Sequence, residues 1–262
     1  MATSMMWRLL PISTLTYRQF LGGRAIRVVV VLSLIPCLFA GIYLLNSGFT
    51  TPAGFVTTLF LESVIAPTLL PIIVLIVATA ALGNEVEDRT LPYLTLKPIS
   101  RLRIVLEKLL AVLVVTIPPV VIGLALTGLI AGLAPSSSMS LFPGDPTYGV
   151  GPVIVAMLVA AVAGIVMIST IFLALSLIVP RALLAGIVYV FVWESLLGRF
   201  LPGIRIVSVR HYVQSIFVAV LDDPMVTIES ATSLQASFIV IAVVAVVSII
   251  LAAWRLRTMN LD

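Results

Sequence analysis

A chain of 262 residues that is 61% hydrophobic and only 10% charged, with a mean hydropathy of +1.25, is not a water-soluble protein, because a solvated surface calls for roughly 25% charged residues. Its 15 basic and 11 acidic residues leave a net charge of +4, a balance that suits the basic inner loops of a membrane protein as well as it suits nucleic acid. One cysteine, Cys37, and one histidine, His211, exclude an internal disulfide and a four-ligand zinc or iron–sulfur site made of Cys and His.

The first stretch, Trp7 to Arg24, is too polar to cross a bilayer. Leu10, Leu15, Tyr17, Phe20 and Leu21 line one side of a helix there, and Arg8, Arg18 and Arg24 can snorkel. Residues 1–24 therefore read as an N-terminal interfacial amphipathic helix. A cleaved signal peptide is the competing reading; the first apolar run is about twice the length of a signal h-region, which speaks against it.

Crossing about 30 Å of hydrocarbon takes roughly 20 apolar residues. Six runs approach that length: Ala25 to Leu45, Leu59 to Gly83, Ile104 to Leu133, Pro152 to Val179, Ala182 to Leu197 and Ala236 to Trp254. The fifth is short, and only Pro180 and Arg181 divide it from the fourth. The runs are continuously apolar rather than alternating, which predicts helices and not a β-barrel. The expected fold is an all-α polytopic membrane protein, with a six-span domain over residues 25–262. Pro67 and Pro71 in the second span, and Pro118 and Pro119 in the third, predict bends. Gly128 and Gly132, and then Ala156, Ala160 and Gly164, give the small-residue spacing that lets helices approach closely.

Charge sets the orientation. With the N-terminus inside and six alternating crossings, 12 of the 15 basic residues fall on the inner side: Arg8, Arg18, Arg24, Arg27, Arg89, Lys97, Arg101, Arg103, Lys108, Arg181, Arg255 and Arg257. Arg199, Arg205 and Arg210 fall outside, with Asp145, Asp222, Asp223 and Glu229. The positive-inside rule then puts both termini in the cytoplasm of a multi-pass protein of the cell membrane. No basic stripe with interleaved aromatics follows one element, so nucleic acid is not the partner.

Outside, Ala134 to Gly151 carries Ser136, Ser137, Ser138, Pro143, Gly144, Asp145 and Pro146, the turn formers of a plain loop. The outer segment 198–235 is longer than a hairpin needs. Val209, Val213, Ile216, Phe217 and Val220 recur there at helical spacing and predict one or two short helices lying at or dipping into the outer leaflet. Ser208 is placed to cap such a helix, and Asp222, Asp223 and Pro224 to end it. A cover over the bundle and a lid over an exit path both fit this helix.

Three ionisable residues fall within the spans, all near an interface. Glu62 is expected in the first turn of the second span, and Arg181 between the fourth and fifth; both read as ordinary interfacial residues. Glu194 follows Val190 to Trp193 and needs a partner, for which Arg199, Arg205 and His211 are available. A structural ion pair is the favoured reading of Glu194, with an outer gate or substrate contact the alternative. His211 reads as a hydrogen-bonded structural histidine rather than a proton relay.

The inner loop 84–103 is the most informative part of the chain. It begins with acids at Glu85, Glu87 and Asp88, continues through Arg89-Thr90-Leu91-Pro92-Tyr93-Leu94, and closes on Lys97-Pro98-Ile99-Ser100-Arg101, with Lys108 further on. Pro92 and Pro98 would delimit a short helix beneath the bilayer. Neither Lys97 nor Lys108 sits in a glycine-rich phosphate loop, so the chain has no means of hydrolysing ATP alone.

With its acidic pair, Thr-Leu, Tyr-Leu and Pro-Ile-Ser-Arg followed by a lysine, this loop resembles that of permease subunits of ABC type-2 exporters. The amphipathic start, the six spans, the long outer segment, Trp193-Glu194 and Ser208 to Tyr212 extend the resemblance over nearly the whole chain. The resemblance implies a coupling helix seated on a separate cytoplasmic ATPase, with Glu85, Glu87, Arg89, Leu91, Tyr93, Leu94 and Arg101 engaging it. It implies two ATPase copies and a second permease protomer, identical or a sister chain. ATP and Mg²⁺ would be bound by that partner, and no cofactor by this chain. It also implies that the second and fifth helices line the path, making Glu62, Thr68, Tyr189, Trp193 and Glu194 the path or gate candidates for a lipidic or amphipathic cargo. The rival readings are a non-transporting scaffold or sensor, and an intramembrane enzyme. The scarcity of His, Asp and Lys at mid-depth argues against the enzyme.

Overall fold

The computed structural model describes residues 13, 16, 17, 20, 22–46, 50–87, 100–135, 145–197, 208–228 and 230–258. Every regular element among them is helical. In chain order they are α1 (Arg24–Leu45), α2 (Pro52–Thr58), two π-helical stretches, π1 (Leu59–Ser63) and π2 (Ile65–Leu69), then α3 (Leu70–Glu87), α4 (Arg101–Gly132), α5 (Val150–Ile178), α6 (Ala182–Val188), a third π-helical stretch π3 (Tyr189–Leu197), α7 (Val209–Leu221) and α8 (Leu234–Thr258).

Five stretches are long and apolar enough to cross a membrane: Ala25–Leu45, Pro52–Gly83, Arg101–Gly132, Val150–Ile178 and Leu234–Thr258. The fifth expected span behaves differently. It forms α6 and then π3, ending at Leu197 within the described residues, short of the roughly 20 residues a crossing takes. The second span is longer than expected because Pro52, pre-set for the first turn of a helix, starts it seven residues before Leu59, and Thr51 caps it by accepting from the Gly54 N–H at 3.0 Å.

α5 is the centre of the bundle, in contact with α3, α4, α6, α7 and α8. It carries no charged residue, and Ala156, Ala160 and Ala161 are completely buried. Small side chains there let neighbouring backbones come close, which is how helices gain packing energy where lipid offers no hydrophobic drive. The expected small-residue seam is an intrachain one: a Cβ built on Gly128 would collide with Ile154 of α5, and one on Gly164 would lie 2.8 Å from Val213 of α7 and 3.3 Å from Leu70 of α3. α1 packs on α4, where a Cβ on Gly123 would collide with the Ser33 carbonyl oxygen. The Gly123 carbonyl in turn accepts from Cys37 Sγ at 3.2 Å and Thr127 Oγ1 at 2.8 Å. The outward faces of α1 and α8 remain apolar, with Leu38, Ile42, Ile239 and Ile250 exposed as a lipid-facing surface requires.

The prolines act unequally. Pro118 and Pro119 sit inside α4, which stays one continuous 32-residue helix. Around Pro67 the second span changes its hydrogen bonding altogether. Pro67 has no N–H to give, and its ring crowds the carbonyl four residues back. The ladder widens instead: Val64 donates to Leu59 at 3.3 Å and Leu69 to Val64 at 2.9 Å, with Val64 itself pulled to φ −135°.

Because the nearest atom is backbone, Gly123→Ala should destabilise the protein by about 1–3 kcal/mol, the usual cost of overpacking. Gly132→Ala, whose new Cβ would find only ordinary contacts at 3.7 Å and beyond, should be close to neutral. Thermal unfolding of the two variants in detergent checks the contrast.

Candidate functional site

The interrupted second helix does not stand alone. α7 rises beside it, and its depth can be read from its neighbours on α5. Val209 closes a small apolar gap with Pro71, Ile168, Ile171, Phe172 and Tyr189. Val213 abuts Gly164, midway along α5, and Leu221 leads to a loop fixed beside Thr147 and Tyr148, just before α5 begins. The helix therefore starts within the bundle at Val209 and runs to the end at which α5 begins. Val209, His211, Tyr212, Val213, Ser215, Ile216, Phe217 and Leu221 are buried. This places it within the protein core and corrects the reading of a surface cover. Ser208 occupies the cap position, but its side chain makes no capping bond to the helix. The far end follows expectation, with Asp222 in the left-handed region at φ 49°.

α7 is what holds the interruption in place. Phe217 stacks on Phe60 of π1 with ring centroids 5.0 Å apart, both rings fully buried. The Leu61 carbonyl accepts from Gln214 Nε2 at 2.5 Å and from Arg210 Nη2 at 3.4 Å. Side chains from one helix thus supply donors to a carbonyl in the irregular part of another, the compensation a broken membrane helix requires.

Glu62 follows directly. The early start of α2 puts it ten residues into the helix, about 15 Å from its N-terminal end, rather than in the first turn. Its side chain is exposed, as is that of Ser63, and it makes no hydrogen bond or ion pair among the described residues. Thr68 on π2 is half-buried. π2 packs against π3, which brings Tyr189 and Trp193, both half-buried, to the same region. Tyr189 meets Phe172 of α5 edge-on at 5.9 Å. All five path candidates therefore lie on the segments π1, π2 and π3. The side chain of Glu194 lies outside the described residues.

Of the loop candidates, Glu85 and Glu87 fall in the last turn of α3, with side chains outside the described residues, and Arg101 is the first residue of α4. Arg89, Leu91, Tyr93 and Leu94 lie outside the described residues altogether. Arg101 Nη1 is buried and has no hydrogen-bond partner among them.

Beside Arg101 lies a cluster that has no counterpart among the sequence expectations. Glu107 is 2% exposed and Lys108 1%. Glu107 accepts from Arg103 Nε at 2.8 Å and from the backbone N–H of Ser13 at 3.3 Å. Ser13, Thr16 and Phe20, spaced by three and four residues, are buried, and the Ser13 bond joins the N-terminal segment to α4. The i,i+4 pairing of Arg103 with Glu107 was the available signal.

At the opposite end of the bundle two aspartates clasp the connections between helices. Asp145 Oδ2 accepts from the Thr51 N–H at 3.4 Å, at the start of α2, and only glycine at position 54 leaves room, since a Cβ there would fall on the Asp145 carboxylate. Asp223, 4% exposed, accepts from the N–H groups of Thr147 (2.6 Å), Tyr148 (3.3 Å) and Met225 (2.9 Å), and from the Thr147 hydroxyl (3.2 Å). The end of the loop expected over 134–151, residues 145–148, is therefore held by both clasps; the Asp-Pro pairs 145–146 and 223–224 were the clue.

Burial acts to raise the proton affinity of Asp223, but donation from Met225, Thr147 and Tyr148 and from the Thr147 hydroxyl outweighs it and holds the carboxyl below the ordinary carboxylate value. A lowered folded-state value stabilises the fold above the unfolded pKa of about 3.9, and that contribution is lost as pH falls through the folded value. The stability gap between wild type and Asp223→Ala should be constant near neutrality and close below about pH 4. Melting curves against pH measure it; a gap independent of pH would contradict the assignment.

Comparison of the sequence with curated proteins returns no match. The family model described as ABC-2 family transporter protein matches residues 23–195, from the start of α1 through α5 and most of π3. With apolar helices built to cross a bilayer repeatedly and an interrupted second span at its centre, the chain belongs to the ABC-2 transporter family, as a multi-pass membrane permease component.

Proposed function

We propose that the chain is the permease subunit of an ATP-driven exporter, working as a pair of protomers with two ATPase subunits on the cytoplasmic side. The observation that carries this reading is Glu62: an exposed carboxylate about 15 Å inside a membrane helix. Facing lipid, an ionised side chain costs roughly 2.5–3.5 kcal/mol near mid-depth on insertion scales. A second protomer closing over π1, π2 and π3 would turn it from lipid toward a path shared by the two chains. Thr68, Tyr189 and Trp193 would line that path, with Glu194 at its outer end, and a lipidic or amphipathic cargo suits its apolar walls.

Six crossings follow if α6 and π3 continue past Leu197 into the outer leaflet, where the bundle's inward-dipping α7 fills the remaining depth. Both termini then lie in the cytoplasm. The charge supports this orientation: Arg103, Glu107, Lys108, Arg181, Arg255 and Arg257 gather at one end of the described helices, and Asp145, Asp222 and Asp223 at the other.

The loop 84–103 is the handle for the ATPase, with Glu85, Glu87, Arg89 and Arg101 fixing register by charge-assisted hydrogen bonds and Leu91, Tyr93 and Leu94 bearing load. Motion applied there reaches two different elements. α4 is tied to the N-terminal segment through Glu107, so these would move as one body. α3 leads up to π2 and π1, whose altered hydrogen bonding is the natural place for a helix to yield.

Replacing Glu85 and Glu87 together by alanine should lower stimulated ATPase turnover of the purified assembly by about tenfold or more, the loss of roughly 1.4 kcal/mol of coupling, with the permease still folded. Full stimulation and full ATPase binding in that variant would contradict the handle.

A further inference from the structure

We infer that Glu62 is a charge selector and that the cargo is a cationic amphiphile, one ammonium-like head on an alkyl chain; this rests on the permease reading above. Glu62 is exposed, lies about 15 Å below the outer end of its helix, and has no compensating cation within ion-pair distance among the described residues. The nearby guanidinium of Arg210 is directed to the Leu61 carbonyl. A protein that needed Glu62 only as structure would have paired it, as it pairs Glu107 with Arg103 at 2.8 Å and saturates Asp223 with four donors.

The setting defines the rest of the ligand. Ser63 is the adjacent exposed polar group, and π3, packed on π2, exposes Phe191 and Val192 with Val188 just before them. An alkyl chain fits that wall. Tyr189 and Trp193 on the same segment add aromatic faces of the kind that attract a desolvated ammonium. Two protomers meeting at this surface bring two carboxylates together, and in a low-dielectric site their repulsion is relieved by a cation between them. An anionic head would meet the opposite energetics at the same position.

The test uses the full chain in native-lipid membranes and a matched pair of photoprobes, a diazirine-bearing dodecyltrimethylammonium and the corresponding dodecyl sulfate. Labelling of the peptide spanning residues 59–69 is quantified by mass spectrometry. The cationic probe should label it roughly tenfold more than the anionic one, equivalent to about 1.4 kcal/mol. Glu62→Gln should bring that ratio close to one, and Glu62→Asp should retain most of it. Equal labelling in wild type, or a ratio unchanged by Glu62→Gln, overturns the inference. Association with an ATPase, measured separately by co-purification, keeps the two readings apart: equal labelling alongside a bound ATPase removes only the cargo class, whereas an intact ratio without one leaves a cation site on a protein that is not such a permease.

Discussion

A backbone group inside a bilayer has to find its partner in protein, and Pro67 removes one donor where the second helix passes through the membrane. Much of the distinctive architecture follows from that constraint. The ladder changes from four-residue to five-residue steps on either side of Val64, and the Leu61 carbonyl is served from α7 by Gln214 and Arg210. α7 can do this only because it dips into the bundle, and it can dip only because Gly164 leaves room for Val213 on α5. Gln214 and Gly164, far apart in sequence, thus both serve the helix that is interrupted around Pro67.

The same arrangement exposes function. A regular helix could have kept every polar side chain turned toward the bundle. With π1 and π2 interrupting it, Glu62 and Ser63 face outward while Phe60 and Leu61 stay buried. At the two ends of the bundle, Asp145 and Asp223 clasp connections between helices, and Glu107 joins α4 to the N-terminal segment. Between these ends, the stretch from Leu59 to Leu69 departs from α-helical hydrogen bonding and is held by Phe217, Gln214 and Arg210 of α7.

How much of this the sequence disclosed depends on the range of the interaction. Apolar run length gave the helices, Pro180 and Arg181 the tight turn between α5 and α6, and helical spacing the apolar face of α7, because each is a local property. The acid-to-base loop carried the family, matched independently over residues 23–195. Depth was not legible: Glu62 reads as a first-turn residue until Thr51 and Pro52 are seen to start the helix a further two turns out. Burial of Glu107 and Lys108 was hidden for a similar reason, since nothing local announces that Ser13, 94 residues earlier, will donate to Glu107. The polar side chains of Gln214 and Asp223 became meaningful only once their partners, about 150 and 76 residues away, were in place.

Everything proposed for transport requires the outward face of π1 to meet a second permease chain. Ser63→Cys in a Cys37→Ser background, oxidised in native membranes, tests this most directly, with Leu38→Cys on the lipid-facing side of α1 as the comparison. The predicted result is a disulfide-linked permease pair from position 63 and none from position 38. Cross-linking at neither position, with the thiol introduced at position 63 modified by lipid-phase reagents as readily as the one at position 38, would contradict it.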